Sequence, residues 1–315
     1  MSIADAVWIG DEPIVSLERA GSGAMAAVFR GRAQTTGRSV AVKRVLPNLS
    51  SNTEILRLFD DECRVHATLS HPKVVQYLAH GVDQQGPFLA LDWVDGVSAR
   101  HFVAPSRSLP ALAAAMLALD VLDALDALHH GRATRGKVGP VLHRDLSPAN
   151  VLVDSSGVSR LADFGLARAL TFARTTTPGT TVGKLGYLAP EVLAGRPHST
   201  RADLYALGVV LWEIIAGRRL LADLVSASDR THAYLHAPRP RAERAREGMP
   251  TALARVIDGA LAMDPAERFG SANAMAAVLD RGLTADEKAL GRTLLACAAR
   301  GDSTRRGRRR THPTA

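Results

Sequence analysis

The chain has 315 residues, of which 46% are apolar and only 4% aromatic. This composition excludes a wholly disordered protein and predicts a core filled mainly by Leu, Val and Ala, in one large two-lobed domain or two small ones. The formal net charge is +8, but residues 282–315 alone supply +5, from eight basic and three acidic residues. Because the other residues are nearly balanced, the charge argues against a nucleic-acid-binding domain.

The two cysteines, Cys63 and Cys297, lack the spacing of a metal site, so free thiols in a reducing compartment are expected. The first ten residues have no basic start and include Asp5, which is unlike a signal peptide. Acidic residues interrupt every apolar run before it reaches the roughly 18 residues of a membrane span. These observations predict a cytoplasmic protein without a membrane span.

The N-terminal third predicts a small antiparallel sheet with one helix. Residues 1–13 are expected to be a short leader, and 14–45 to form strands around a glycine-containing turn. The pattern over 52–69 predicts a helix that follows a polar N-cap. Two further apolar strands are predicted near 74–79 and 87–93, because glycines bracket their connection.

The rest of the chain predicts mostly helices. An Ala- and Leu-rich helix is expected first, and its three aspartates recur every three residues, near one face. A later helix is apolar nearly all round and should be buried. The predicted helices span 109–130, 202–216, 251–263, 271–279 and 284–300. The arginine-rich end after them is expected to be solvated and disordered, with docking to nucleic acid, membrane or protein as alternatives.

A glycine-containing loop between the first strands is a candidate phosphate site, because glycines let backbone N–H groups approach phosphate oxygens. It is neither a Walker-type loop nor a dinucleotide-binding loop, since no Gly-Lys-Ser/Thr and no helix follows. Taken alone, it is equally an ordinary hairpin. The loop consists of Ala20, Gly21, Ser22, Gly23, Ala24, Met25, Ala26, Ala27 and Val28.

Lys43 and Glu62 are a candidate ion pair. Strand alternation places Lys43 on the same face as Ala41, although a lone strand lysine is by default a solvated one. Glu62 shares a helix face with apolar residues and with His66, and a carboxylate in an apolar stripe needs a partner. His66 is interpreted as a core histidine, with a pH-sensitive role as the weaker alternative.

Three motifs follow in order: His143-Arg144-Asp145-Leu146-Ser147-Pro148-Ala149-Asn150, then Asp163-Phe164-Gly165, then Ala189-Pro190-Glu191. Together they resemble the eukaryotic-type (Hanks-type) bacterial serine/threonine protein kinases. The resemblance implies an α+β, bilobal fold with an antiparallel N-lobe sheet, one N-lobe helix and a mostly helical C-lobe. It implies a kinase domain over 14–281, with an N-lobe at 14–92 and a C-lobe at 95–281. Residues 282–315 would then be a basic extension, partly helical and then disordered.

The resemblance also implies roles for individual residues. Asp145 would orient the substrate hydroxyl, and the Lys43–Glu62 pair would assemble in the active state. Asn150 and Asp163 would hold Mg²⁺. The ATP site would include the glycine loop, Lys43, Ala41 with room for adenine, and backbone groups of Asp92 and Val94. Protein substrates would be the partners, with self-association for phosphorylation in trans.

The chain departs from the family pattern where Ser147 replaces a lysine and Lys184 replaces a threonine. We expect Lys184 to supply the cation that Ser147 lacks, so that the γ-phosphate is still stabilised. The alternative is a pseudokinase or scaffold that binds ATP with little transfer. A small-molecule kinase is disfavoured by the Ala-Pro-Glu motif. Retention of Pro148 favours Ser/Thr over Tyr specificity.

The segment between Asp163 and Glu191 is rich in threonine. Phosphothreonine there could pair with Arg144 and order the segment. Asp203 would accept backbone N–H groups of the catalytic loop, and Glu191 would pair with Arg268. The candidate sites of autophosphorylation are Thr175, Thr176, Thr177, Thr180 and Thr181.

Overall fold

A computed structural model of the protein describes residues 7–133, 139–164, 182–221 and 227–308, with the backbone alone at 182–184, 227–231 and 302–308. The described part has two lobes, as expected for the α+β class. A six-stranded antiparallel sheet in the order β1-β2-β3-β4-β6-β5 forms the smaller lobe with helix α1. A three-stranded sheet in the order β7-β8-β9 and seven helices belong to the larger lobe, counted over the described residues.

The elements have the following bounds. The strands are β1 Val7–Ile9, β2 Glu12–Ser22, β3 Ala26–Ala33, β4 Ser39–Val45, β5 Tyr77–Asp83, β6 Gly86–Asp92, β7 Gly96–Ser98, β8 Val151–Asp154 and β9 Ser159–Leu161. The helices are α1 Thr53–Thr68, α2 Ala111–His129, α3 Pro190–Leu193, α4 Thr200–Ala216, α5 Ala227–His236, α6 Thr251–Ala260, α7 Ala272–Arg281 and α8 Ala285–Arg308.

The sheet begins earlier than the sequence predicts. Val7 is fully buried and pairs with Ile14, so part of the expected leader at 1–13 is strand β1 and the start of β2. Burial of one β-branched residue in the sheet core favours strand at this end of the chain. The short strands β7 and β9 were also not predicted, since three residues are too few to show a period.

Helix α1 begins where Asn52 accepts hydrogen bonds from the N–H groups of Glu54 and Ile55, which is an N-cap of the predicted kind. Its inner face carries Phe59, Glu62 and His66, all buried as the spacing predicts. Cys63, on the same helix, is buried and free.

The larger lobe is built around α2 and α4. Helix α4 is buried nearly all round, as predicted, and contains the fully buried Trp212 and Tyr205. Gly217 ends it with φ +67, and a Cβ there would meet the carbonyl oxygen of Ala104 at 2.8 Å. Glycine therefore allows the loop at 99–107 to lie against the end of α4.

Helix α8 lies outside the predicted kinase domain yet packs on it. Thr284 and Glu287 form the expected capping box at its start. The helix continues to Arg308, eight residues beyond the predicted end at 300, so the first arginines of the expected disordered end have helical backbone. Leu295 and Ala299 are buried against the larger lobe, and Cys297 is exposed and free.

Among the described residues, no helix combines the length and the apolar character that crossing a bilayer requires.

Candidate active site

The cleft between the lobes contains one ion-pair network that joins three elements. The ammonium Nζ of Lys43, on β4, lies 2.6 Å from Oε1 of Glu62, on α1. The same Nζ lies 3.0 Å from Oδ1 of Asp163, which follows β9. Burial lowers the pKa of Lys43, but the carboxylates of Asp163 and Glu62 outweigh burial and hold that pKa above its usual range. The lysine is therefore a fixed cation.

The faces of β4 are as predicted. Val40 and Val42 are buried in the core on one side of the sheet, whereas Ala41 packs with Phe59 and Cys63 on the side of α1. Lys43 shares that side, which is why it meets Glu62.

Asp145 and Asn150 are held together by the loop that carries them. Nδ2 of Asn150 donates to the backbone oxygen of Asp145 at 2.8 Å and to its Oδ2 at 3.0 Å. The same amide nitrogen lies 3.4 Å from the backbone oxygen of Asp163. With its NH₂ group so used, Asn150 has its side-chain oxygen left to act as a ligand.

The loop is anchored from below by Asp203. This fully buried carboxylate accepts the N–H of His143 at 2.9 Å and the N–H of Arg144 at 3.0 Å. His129 and His198 each place Nε2 2.9 Å from it. Burial raises the pKa of Asp203, but hydrogen bonds to the two histidines outweigh burial and hold the pKa below its usual range. The predicted contact with the catalytic loop is present, but its two histidine partners were missed.

Two site residues have left-handed backbone. Arg144 has φ 64 and Asp163 has φ 54. A non-glycine residue costs roughly 1–2 kcal/mol in this region, so the surrounding contacts must hold both in place. The bonds of Asp203 to the loop and of Lys43 to Asp163 serve that purpose.

His66 and His143 pack on Phe164. The ring of His66 meets it edge-on at 5.1 Å between centroids, and His143 lies at 4.9 Å. Both histidines are fully buried, and their ring nitrogens have no hydrogen-bond partner among the described residues. Burial lowers the pKa of His66 to about 3, so it is a neutral packing residue, as interpreted from the sequence.

A cavity of about 530 Å³ joins these groups. Its lining includes Lys43, Glu62, Asp145 and Asp163, together with the glycine loop from Ser22 to Ala26 and Val28. In that loop the N–H of Gly23 donates to the oxygen of Ala26 at 2.8 Å, which closes the turn between β2 and β3.

Other predicted ATP-site residues lie outside this lining. Ala20, Gly21 and Ala27 belong to the adjoining strands, and Ala41 lies in the small core beside α1. Asp92 and Val94 line a second, smaller cavity. The side chain of Asp92 pairs with Arg38 at 3.1 Å. Contact of these residues with adenine stays a prediction.

Ser147 is buried at 2% exposure, lines the main cavity, and has no hydrogen-bond partner for its hydroxyl among the described residues. The backbone of Lys184 lies in a short 3₁₀ helix at Val182–Tyr187, but its side chain lies outside the description. Thr175, Thr176, Thr177, Thr180 and Thr181 also lie outside the described residues.

The predicted Glu191–Arg268 pair is present. Both guanidinium Nη atoms reach the carboxylate, at 2.7 and 2.8 Å, and the pair is buried. The sequence analysis did not predict a second cluster, formed by Tyr187, Glu213 and Arg219. The hydroxyl of Tyr187 donates to Oε2 of Glu213 at 2.6 Å, and the guanidinium of Arg219 contacts both groups. No motif marks that cluster, because its residues come from separate elements.

A family model described as protein kinase domain matches residues 14–279. The chain belongs to the protein kinase domain family. It is 28% identical over 266 residues to the serine/threonine-protein kinase PrkC of Bacillus subtilis, covering 84% of this chain and 40% of that protein. It is 29% identical over 284 residues to the tyrosine-protein kinase MasK of Myxococcus xanthus, covering 85% and 42%.

The fold agrees with this membership. The solved kinase domain of PknI from Mycobacterium tuberculosis superposes with a TM-score of 0.62 at 28% identity, covering 90% of this chain and all of that one. The chain spans about two fifths of the length of the curated relatives just named.

Protein kinases use ATP and divalent metal ions, and the residues present fit both. Asp163 lines the cavity, and the side-chain oxygen of Asn150, next to Asp145, is the second candidate ligand. A divalent ion of this kind is typically held by one or two such groups plus phosphate oxygens. Lys43 adds a fixed positive charge for phosphate. The glycine loop closes the same cavity from above.

Proposed function

We propose that this protein transfers the γ-phosphoryl group of ATP to Ser or Thr hydroxyls of proteins, with Mg²⁺ as the metal. The observation that carries the proposal is that Lys43, Asp145 and Asp163 line one cavity, with Glu62 bonded to the lysine and Asn150 bonded to Asp145. Phosphoryl transfer depends on position and charge more than on covalent chemistry, and this arrangement supplies both.

Each residue has a defined task in this mechanism. Asp145 accepts a hydrogen bond from the substrate hydroxyl, aims its oxygen at the phosphorus and receives its proton. Lys43 binds the α- and β-phosphates while Glu62 holds its ammonium in place. Asn150 and Asp163 would hold the Mg²⁺, which would supply positive charge for the phosphate oxygens.

Serine/threonine specificity rests on Pro148 in the catalytic loop and on the likeness to PrkC. The likeness to MasK makes tyrosine the competing acceptor. The deciding experiment incubates the protein with labelled Mg-ATP, alone and with one basic and one acidic generic protein, beside Asp145→Asn. Label on Ser or Thr that disappears in the variant supports the proposal. Label on tyrosine would move the specificity, and tight ATP binding without any transfer would favour the pseudokinase alternative.

We also propose that the protein phosphorylates itself within Thr175–Thr181, in trans between two copies. Support comes from Arg144, which directly precedes Asp145 and whose Nε is buried without a hydrogen-bond partner among the described residues. A phosphate on one of these threonines would give the guanidinium of Arg144 an acceptor. Peptide mass analysis after incubation with Mg-ATP would refute the proposal if residues 171–181 remained unmodified.

Lys184 is proposed to replace the missing lysine at Ser147. The support is that Ser147 lines the cavity beside Asp145 with its hydroxyl unused. Lys184→Ala should lower kcat sharply, and the double variant Ser147→Lys/Lys184→Thr should recover much of the loss. A fully active Lys184→Ala would rule out the exchange. A cytoplasmic location is likewise proposed, on the two free thiols.

A further inference from the structure

The cavity extends beyond the groups that the proposed transfer uses. Its lining also includes Arg100, Val103, Tyr187 and Arg219. Arg100 and Arg219 are exposed to solvent, and the proposed mechanism gives them no role. They therefore border the same cavity as Asp145.

The position of Arg100 is fixed relative to the catalytic loop. Its backbone N–H donates to the oxygen of Pro148 at 2.8 Å, three residues after Asp145. Its guanidinium has no hydrogen-bond or ion-pair partner among the described residues. Within the described part of the chain, Arg100 is therefore a cation without a counter-charge in the lining of the cavity.

Arg219 lines the same cavity from a different segment of the chain. Its guanidinium lies 5.3 Å from the centre of the Tyr187 ring and 3.4 Å from Oε2 of Glu213, and 44% of the side chain is exposed. Glu213 is buried and is already bonded to the hydroxyl of Tyr187 and to the N–H of Leu220. The outer face of Arg219 therefore remains available.

Two further arginines lie on the same two segments of the chain, outside the lining of the cavity, and we call Arg100, Arg107, Arg218 and Arg219 the basic rim. The loop at 99–107 touches Gly217, and the N–H of Leu109 donates to the oxygen of Ile214 at 2.8 Å. The four arginines therefore lie on two adjacent segments. Residues 96–119 contain no Asp or Glu, and neither do residues 214–221.

The charge of the rim is clearly positive in the described part of the chain. Arg219 is paired with the buried carboxylate of Glu213 and Arg218 lies 5.0 Å over the ring of Trp212, while Asp223, a little further along, lies outside the described residues. The other carboxylates that line the cavity, Glu62, Asp145 and Asp163, are all assigned to lysine, hydroxyl or metal. A cationic rim selects an anionic partner and repels a cationic one.

Resting on the proposed kinase function, we infer that this protein selects Ser or Thr residues flanked by anionic side chains, and that Arg100 is the main determinant of this selection. The shared chemistry is a carboxylate or a phosphate that forms charge-assisted hydrogen bonds with guanidinium groups. Acidic residues and previously phosphorylated residues are the two sources of such a group.

The test measures kcat/KM for matched peptides in which the residues flanking one Thr are Asp, phosphoserine, Ala or Arg. The anionic peptides are expected to be better substrates than the Arg peptide by about tenfold or more at low salt, and the ratio should shrink as salt screens the charges. Comparison of the Asp and phosphoserine peptides distinguishes acidic substrates from previously phosphorylated ones. Equal rates for all peptides would overturn the inference while leaving the kinase function standing, and transfer to nothing would instead reject that function.

The variant Arg100→Glu tests whether the basic rim causes this selectivity. We expect it to lower kcat/KM for the anionic peptides and raise it for the Arg peptide, so that the preference reverses. Arg219→Gln, checked for folding because Arg219 also neutralises Glu213, should weaken the preference without reversing it. Arg255→Glu is the matched control: it makes the same charge change at an exposed site on α6 and should leave the ratio unchanged. An unchanged ratio in Arg100→Glu, or equal loss for all peptides, would overturn the assignment.

Discussion

The Lys43–Glu62 pair in the cleft and the Glu191–Arg268 pair in the larger lobe are both buried, but they differ in how the cation is held. Arg268 uses all five of its N–H groups: two on Glu191, and three on the backbone oxygens of Ala262, Arg201 and Met263. Its guanidinium also lies 4.8 Å over the ring of Tyr205. This cation is fixed by many contacts at once.

Lys43 has two carboxylate partners among the described residues, Glu62 on α1 and Asp163 after β9. These partners belong to different elements, so a shift of α1 breaks one contact and leaves the other. A guanidinium with a fixed fork suits a permanent anchor, whereas an ammonium on a flexible stem suits a contact that can be made and broken. The comparison indicates that the first pair supports folding and the second supports activity.

The strongest test of this division is Glu191→Ala. The variant leaves the guanidinium of Arg268 buried without a counter-charge, and breaking a buried pair in this way typically costs about 3–5 kcal/mol. Urea unfolding should show a decrease of that size in the free energy of unfolding. Glu243→Ala, at an exposed position, should change the unfolding free energy by less than about 0.5 kcal/mol. Equal stability of the two variants would contradict an anchoring role.

Lys43→Met tests the other pair. The variant should lower kcat/KM by roughly 10²–10³, the usual effect of removing one group that stabilises transition-state charge. The thermal midpoint should change far less than in Glu191→Ala, because Glu62 can turn toward solvent in the open cleft or take up a proton. Lys288→Met, outside the cleft, is the control and should keep full transfer. A Lys43→Met protein as unstable as Glu191→Ala would remove the distinction between the two pairs.

A third network extends the comparison to α8. The carboxylate of Asp120, buried on α2, accepts hydrogen bonds from Nη1 and Nη2 of Arg292 at 2.5 and 3.1 Å. It also accepts the N–H of Ser159 at 2.8 Å and lies 2.6 Å from Nζ of Lys73. Arg292→Ala removes part of this set and should cost about 1–3 kcal/mol in unfolding free energy. Arg300→Ala, at an exposed site where the guanidinium bonds the backbone oxygen of Ser155 and Sγ of Cys297, should cost much less. Two separate unfolding transitions would show that α8 is not part of the cooperative unit.

The last test concerns pH. His66 has a folded-state pKa of about 3, below the unfolded value of about 6.5, so the unfolded chain binds a proton that the folded protein does not. This contribution to stability is fully present above about pH 6.5 and is lost as pH falls toward 3, with a slope of about 1.4 kcal/mol per pH unit per proton. His66→Leu should flatten that slope, measured by urea unfolding between pH 4 and 7. His143, whose pKa burial also lowers, should keep the slope from vanishing. The exposed control His232→Leu should leave the slope as it is.

Much of this molecule follows from local sequence. The spacing of Glu62 and His66 on α1, the faces of β4, and the N-cap at Asn52 depend only on residues close in the chain, and the structure agrees with each. The catalytic loop and the Glu191–Arg268 pair were expected from the order of motifs. Their contacts depend on the family fold, which the motifs identify.

Other features depend on residues far apart, and no local pattern reveals them. The three aspartates of α2 were expected to share a face, yet nothing in their spacing shows that Asp120 is buried, because its partner Arg292 lies 172 residues away. Likewise, His129 and His198 meet at Asp203 only after folding. The basic rim had one available signal, the absence of acidic residues over 96–119, which gains meaning only once that stretch is seen beside Pro148.

The contrast between the two thiols makes the protein convenient to label. Burial raises the pKa of Cys63 to about 12, so its thiol is neither ionised nor accessible near neutral pH. Cys297 is exposed on α8, beside Arg300. A maleimide dye should therefore attach at one position without any engineered cysteine, and its fluorescence would report on α8. Slow attachment of a second dye would mark the moments when α1 leaves the sheet.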